Sequence, residues 1–589
     1  MNRLSAILFS VAILAGCCAG RGFAGLDKGD VRLSWDESSY TEFTSTEVVD
    51  APYTVEENLY YPRIKGISDG SLLFSFENHH YGWEIYLKKS TDGGRTWGPA
   101  KLLRHSHSAV STVGNDLKVF VNPDFYQLSS GRILMAWQWR YKSGYSDLPN
   151  TNENCGIELT YSDDMGESWS EPREVYRGRC WEPAFLELPS GEIQLYLTDS
   201  QEIKDGGSYA CTSIIRSFDG GNTWQGKDMA LWTDTEPISR TIWNGRGMDG
   251  MPTAVLLDGG KGIVVPLETW SGRDVYDISP ITVRTSMEEN WHVDGASIRE
   301  NGGPAYPRKK QVNKDLKAFG PYSCKLPGGE MVILTNGRYR NDHGVFALVG
   351  DVCGDNFGLV TTAFPVSGAY WGSIDCLDEY NLIATATVRY HDPANGGERG
   401  KVLVRKAWVN RSRSIGRADL EIQPLDSFVP DGLWMLGGER GSKAYVDFGY
   451  TADAFQLGGY IFDESVVTFS PENSDAVQIL LARKGKGTWK VTVNANGDYT
   501  LYREDGFSWE PVAWEYGKAD VVRSELGYSA KLDLPWETIG GKPGRGEQLR
   551  IHMCHIMKTG PKLKSSIKLE DMEGESRDYP GEWLSVKLK

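Results

Sequence analysis

Two glutamates stand where carboxyl chemistry is expected. Glu182 lies in Cys180-Trp181-Glu182-Pro183, between an aromatic residue and the start of an apolar strand. Glu268 closes the apolar run Val264-Val265-Pro266-Leu267-Glu268-Thr269-Trp270. A carboxylate at the end of an otherwise buried strand is costly unless it is paired or put to use. Each alone reads equally well as a solvated loop acid or an ion-pair partner. Their place in successive units of a repeat strengthens the pair. Two carboxyl groups across one pocket are what cleavage of a glycosidic bond needs. One protonates the leaving oxygen, and the other attacks the sugar carbon or activates water. A separation of about 5 Å retains the anomeric configuration and a larger one inverts it.

The elements that must position this pair are announced by a repeated turn. Ser90-Thr91-Asp92-Gly93-Gly94-Arg95-Thr96-Trp97 recurs as Ser162-Asp163-Asp164-Met165-Gly166-Glu167-Ser168-Trp169 and as Ser217-Phe218-Asp219-Gly220-Gly221-Asn222-Thr223-Trp224. The shared pattern, Ser-x-Asp-x-Gly-x-(Ser/Thr)-Trp, suits a tight hairpin turn. Asp bonds the turn's own amides, Gly supplies a positive φ, and Trp anchors the strand pair. The pattern resembles the Asp-box of sialidase-type β-propellers, where the boxes are structural and lie away from the active-site mouth.

A second grammar, an apolar strand, a Gly turn and another apolar strand, opens at Tyr60, Asn122, Trp181, Gly250, Pro321 and Trp371. Openings about 60 residues apart suit four-stranded blades. The fold expected is all-β, a six-bladed β-propeller over residues 51–415. The innermost strands of such a ring begin near its axis. Arg63, Asn122, Glu182, Met251-Pro252, Tyr322 and Trp371 should therefore face one another.

Periodicity is lost between Ser412 and Pro430, and alternating strands then run to the end, among them Ala444–Tyr450, Ala476–Leu481 and Gly527–Trp536. A β-sandwich over residues 425–589 is expected. It resembles family 9-type carbohydrate-binding modules. Trp509, Trp514, Trp536 and Trp583 are candidates for a sugar platform, or for core packing.

The chain has 589 residues, 67 of them Gly, 20 Trp and 28 Tyr, which suits many short strands joined by turns. A net charge of −16 argues against nucleic acid or an anionic membrane surface as the main partner. Met1-Asn2-Arg3, an apolar run to Leu14 and Leu14-Ala15-Gly16-Cys17 resemble a bacterial lipoprotein signal over residues 1–17, with Cys17 lipidated. An ordinary secretory signal is the alternative. Residues 18–50 then form a tether, and the protein is an exported, lipid-anchored component of the cell envelope. The later cysteines form no close CxxC pair, so a zinc cluster is not expected.

Tyr61-Pro62-Arg63-Ile64, Asn122-Pro123, Trp181-Glu182-Pro183, Gly250-Met251-Pro252 with Glu268, and Gly320-Pro321-Tyr322 occur in order. Together they resemble glycoside hydrolase family 93, the exo-α-1,5-L-arabinanases of the sialidase-like superfamily. That resemblance implies Glu182 as nucleophile, Glu268 as acid/base, retention, and no metal or cofactor. Arg63, Asn122, Trp181, Arg246, Tyr322 and Trp371 are the expected substrate-binding residues, with His79 and His80 as further lining candidates. The ligand is an oligosaccharide or polysaccharide, and the chain is expected to be a monomer. A true exo-α-sialidase is the runner-up, with Arg63 on the substrate carboxylate and Tyr322 as nucleophile. It needs three converging arginines. Leu195-Tyr196-Leu197-Thr198-Asp199 holds none where the second is due, leaving Arg246, Arg284 and Arg338. The third reading is a non-catalytic glycan-binding surface lipoprotein.

Overall fold

The computed structural model describes residues 30–43, 59–78, 83–147, 150–200, 203–204, 207–226, 235–242, 247–270, 278–292, 298–300, 309–391, 398–430, 432–437, 442–463, 465–468, 474–506, 508–512, 518–558, 563–568 and 583–589. Cys17, His79, His80, Arg246 and Trp514 lie outside them, as does the signal segment 1–17. The fold is all-β, a β-propeller followed by a β-sandwich.

The propeller's inner strands are Tyr60–Gly66, Gly114–Gln127, Cys180–Glu187, Gly247–Gly250 continued by Val255–Leu257, Leu316–Lys325, and Ala369–Cys376. Each pairs antiparallel with the strand that follows its Gly turn. Among the described residues these units form five hydrogen-bonded sheets, because a short parallel pairing, Tyr209 with Gly247 and Ala210 with Met248, joins the third and fourth. The last inner strand packs on the first. Ile64 N–H donates to Ser373 Oγ (3.1 Å) and Gly66 N–H to Asp375 Oδ2 (2.8 Å), which closes the ring.

The expected tether needs correction. Within 18–50, Val31–Phe43 is a strand paired antiparallel with Glu398–Arg411, as the outer strand of the last sheet. Val31, Leu33 and Trp35 are buried there, and such apolar alternation has no place in a solvated linker. The start of the sandwich also moves forward from 425. Arg413–Ile415 pairs parallel with the closing strand Leu584–Leu588, and Ala418 bridges Tyr450. The sandwich core includes Trp434, Trp489 and Trp536. Trp536 and Trp583, at 0% and 3% exposure, are packing residues and no platform for a sugar. Trp509 is half-buried under the Lys490 ammonium (4.7 Å).

The three Asp-boxes share one bonding pattern. In the third, Asp219 accepts from Thr223 N (2.8 Å) and Thr223 Oγ1 (2.7 Å), while Gly221 N donates to Ser217 Oγ (2.9 Å). Gly221 has φ +84°, and a Cβ there would press on Leu134 of the neighbouring sheet at 3.0 Å, so the turn needs Gly twice over. The boxes lie at the far end from the inner-strand openings: Ser90 pairs with Leu72, whereas Glu77, at the other end of that strand, pairs with Ile85. Asp219→Ala is expected to lower Tm by a few degrees and to leave glycan turnover per folded molecule unchanged. Thermal unfolding beside an activity assay checks both.

Candidate active site

One backbone device builds the site. Tyr61, Asn122, Glu182, Met251 and Trp371 all have φ between 49° and 57°, and Gly320 has φ 60°. All but Trp371 precede proline. Register shifts bracket Tyr61, Asn122, Glu182, Gly320 and Trp371. At Met251, six residues from Gly250 to Val255 face five from Val264 to Glu268, the same one-residue excess. A non-Gly residue held left-handed costs on the order of 1–3 kcal/mol, and such strain concentrates at functional sites. Here it re-aims six positions of six strands toward one mouth.

A second device holds the first. The N–H of a left-handed residue donates to a side chain from the second strand of the preceding unit. Asn122 N bonds Glu77 Oε2 (2.6 Å), Met251 N bonds Thr198 Oγ1 (2.9 Å), Gly320 N bonds Glu268 Oε2 (2.7 Å) and Trp371 N bonds Asn336 Oδ1 (3.0 Å). Each acceptor sits opposite the residue just before its own sheet's left-handed position: Glu77 opposite Tyr60, Thr198 opposite Trp181, Glu268 opposite Gly250, Asn336 opposite Phe319. Thr and Asn do this as well as Glu. The charge-bearing group at Glu268 therefore exceeds what the peg requires.

The two candidate glutamates approach from either side of the Gly250–Met251 segment. Glu182 Oε2 accepts from Thr198 Oγ1 (2.6 Å) and Met251 N (3.2 Å), and Glu268 lies directly across from Gly250. Glu268 stands in the field of Glu182. Burial raises the proton affinity of Glu182, opposed by the Thr198 hydroxyl, the Met251 N–H and the Arg63 guanidinium. Glu268 is raised well above the carboxylate range by burial and then by the charge of Glu182, with only the Gly320 N–H opposing. Glu182 has three groups favouring its charged form and Glu268 has one, an asymmetry that favours the charge on Glu182.

The other expected residues fall into two groups. Trp181 and Trp371 are half-buried at the mouth. Trp181 packs edge-on against Tyr145 (5.4 Å) beneath the Arg140 guanidinium (5.0 Å), and Trp371 lies beside Tyr370 (5.4 Å) and Arg389 (5.3 Å). Arg63 and Tyr322 do not line an open surface. Arg63 is 2% exposed, and its Nη1 donates to the carbonyls of Pro62 (2.9 Å), Trp371 (3.0 Å) and Gly372 (3.3 Å). Tyr322 is buried and donates to Asp124 Oδ1 (2.8 Å), which also pairs with Lys65 (3.0 Å). Both belong to the packed axis below the mouth. Asn122 is buried, pegged by Glu77. Arg284 is turned to Asp355 (2.6 Å), and Arg338 is exposed, so neither joins Arg63 in a clamp. Among the described residues, no cluster of three or more His, Cys, Asp or Glu side chains is arranged to hold a metal ion.

No family model matches the chain. A sialidase of Paraclostridium sordellii is 25% identical over 188 residues, 28% of this chain and 44% of that protein. Over part of its length the chain is similar to bacterial sialidases. Sialidase B of Streptococcus pneumoniae serotype 4 is 31% identical over 116 residues, 20% of this chain and 15% of that one. The matches thus span less than half the length of either relative. Among solved structures, the glycoside hydrolase family 93 α-L-arabinofuranosidase of Fusarium graminearum with arabinobiose aligns with a TM-score of 0.42 at 16% identity, covering 63% of this chain and 98% of that one.

Two residues of the site escaped the sequence reading. Tyr61 is the left-handed residue of the first opening. Glu77 ends the strand Leu72-Leu73-Phe74-Ser75-Phe76-Glu77 and is 2% exposed. Burial pushes its carboxyl up to about 8, against the Asn122 N–H, Arg140 and Arg63. A carboxyl whose affinity for the proton is raised by folding stabilises at low pH, and that contribution is lost as pH rises through its folded pKa. Glu77→Gln keeps an acceptor for Asn122 N–H. It is expected to raise Tm relative to wild type above about pH 8, with the gap closing toward pH 5. Calorimetry at a series of pH values checks it.

Proposed function

We propose that the chain is a glycoside hydrolase that removes terminal sugars from a glycan with retention, using Glu182 as nucleophile and Glu268 as acid/base. The observation that carries the reading is the pair itself. The half-buried Glu182 accepts from the Met251 N–H, the buried Glu268 comes from the strand facing Gly250 in the adjacent unit, and the donors around Glu182 favour the charge there. Glu182 anionic and Glu268 protonated are the forms a double displacement needs at its first step. Glu268 gives its proton to the leaving oxygen as Glu182 Oε attacks the anomeric carbon. Water, deprotonated by Glu268, then releases the sugar from the Glu182 ester. Trp181 and Trp371 offer apolar faces to the pyranose or furanose ring at the mouth.

The substrate we favour is a neutral terminal sugar of the α-L-arabinofuranosyl kind, because Arg284 and Arg338 are not gathered around Arg63. The sialidase relatives favour the second reading, release of sialic acid. Export as a lipoprotein anchored at Cys17, a monomeric state and glycan binding by the sandwich complete the proposal. A panel of aryl α-L-arabinofuranoside, linear arabinan oligosaccharides and aryl sialoside, with purified soluble protein, tests it. Arabinose release supports the first substrate and sialic acid release the second. No turnover of any glycoside, with glycan retained on an affinity gel, overturns the hydrolase.

A further inference from the structure

We infer that Tyr61 is a further substrate-contacting residue of this site, its hydroxyl donating to an oxygen of the sugar held beside Glu182. The inference rests on the hydrolase reading. Tyr61 occupies in the first inner strand the position that Glu182 occupies in the third: both are left-handed, at φ 52° and 57°, and both precede proline. A register shift between Tyr60 and Arg63 brackets it as the shift between Trp181 and Ala184 brackets Glu182. A β-region residue would pack in the strand without this strain, so the conformation has a purpose beyond carrying the chain.

The ring is fixed. The Arg63 guanidinium lies over it at 3.8 Å and is itself tied to the Trp371 and Gly372 carbonyls. Only 3% of the residue is exposed. Its hydroxyl nevertheless makes no hydrogen bond among the described residues, and it is not one of the polar atoms sealed from solvent without a partner. It stands in the field of Glu182, Asp124 and Glu77. Of these, Asp124 is engaged with Tyr322 and Lys65, Glu77 with Asn122, and Glu182 with Thr198 and Met251. Burial pushes the phenol's proton affinity up, so it stays a donor throughout the working range. A sugar hydroxyl or ring oxygen next to the Glu182 carboxylate completes the geometry.

Tyr61→Phe tests this, because the ring and its contact with Arg63 remain. Hydrolysis of the best substrate on the panel is measured as kcat and KM separately, with Tm alongside. The expected result is a fall of about 10- to 100-fold in kcat/KM at unchanged Tm, the range for one hydrogen bond used in the transition state. A purely structural tyrosine would move Tm and leave the kinetic constants of the folded protein alone. Wild-type kinetics in Tyr61→Phe overturn the inference and leave the two-carboxylate reading standing. A wild-type protein that turns over no glycoside sinks that reading, and the inference falls with it.

Discussion

Glu182→Gln is expected to abolish turnover while the protein still folds. The amide keeps the acceptor that receives the Thr198 hydroxyl and the Met251 N–H. It also removes a charge that burial disfavours and that raises the proton affinity of Glu268. Tm should therefore hold or rise, the usual sign of a site that trades stability for chemistry. The loss of rate is expected to be at least about 10⁴-fold, because an amide cannot form the glycosyl ester and the reaction has no second route of similar barrier. Steady-state kinetics with circular dichroism and thermal unfolding decide it. Rate retained to within tenfold in a sample shown by mass spectrometry to be pure variant would remove Glu182 from the mechanism.

The all-β class was legible because its signals are local. An Asp-box is one turn, its bonds run within eight residues, and three copies stand in the chain. The convergence of the openings was legible through the same repetition. What the sequence hid is non-local. Residues 31–43 look like a polar linker because only the first five alternate cleanly against a core. Their partner, Glu398–Arg411, lies more than 350 residues away. Arg63 and Tyr322 have the chemistry of ligand-binding residues. Whether they point to the mouth or into the packed axis depends on one-residue bulges, which no residue pattern announces. Tyr61 was hidden for the same reason, since its role follows from φ. Glu77 was available in principle: the argument that singled out Glu268, a carboxylate closing an apolar strand, applies unchanged to Phe74-Ser75-Phe76-Glu77.

Glu268→Ala separates the two carboxyl groups by what each supplies. The acid is needed in proportion to the basicity of the leaving oxygen. For a natural oligosaccharide the leaving group is an alkoxide, and removal of the proton donor is expected to cost about 10²- to 10⁴-fold. For an aryl glycoside of a strongly acidic phenol the first step needs no proton, and the loss moves to hydrolysis of the Glu182 ester. Azide, which needs no general base, should attack the anomeric carbon of that ester, release the Glu182 carboxylate and restore turnover, giving a glycosyl azide of retained configuration. The pH dependence follows from the same assignment. Glu268 acts protonated, so wild-type kcat/KM falls as pH rises through its elevated pKa. Glu182 acts ionised, so kcat/KM falls again as pH drops through its own. In Glu268→Ala, with the aryl substrate, the alkaline limb disappears and the acid limb stays, because Glu268 is already uncharged where Glu182 titrates. A variant that keeps the alkaline limb, or that azide does not rescue, assigns the proton to another group. Glu77 is then the next to replace, since it alone among the other pegs is a carboxyl group with raised proton affinity.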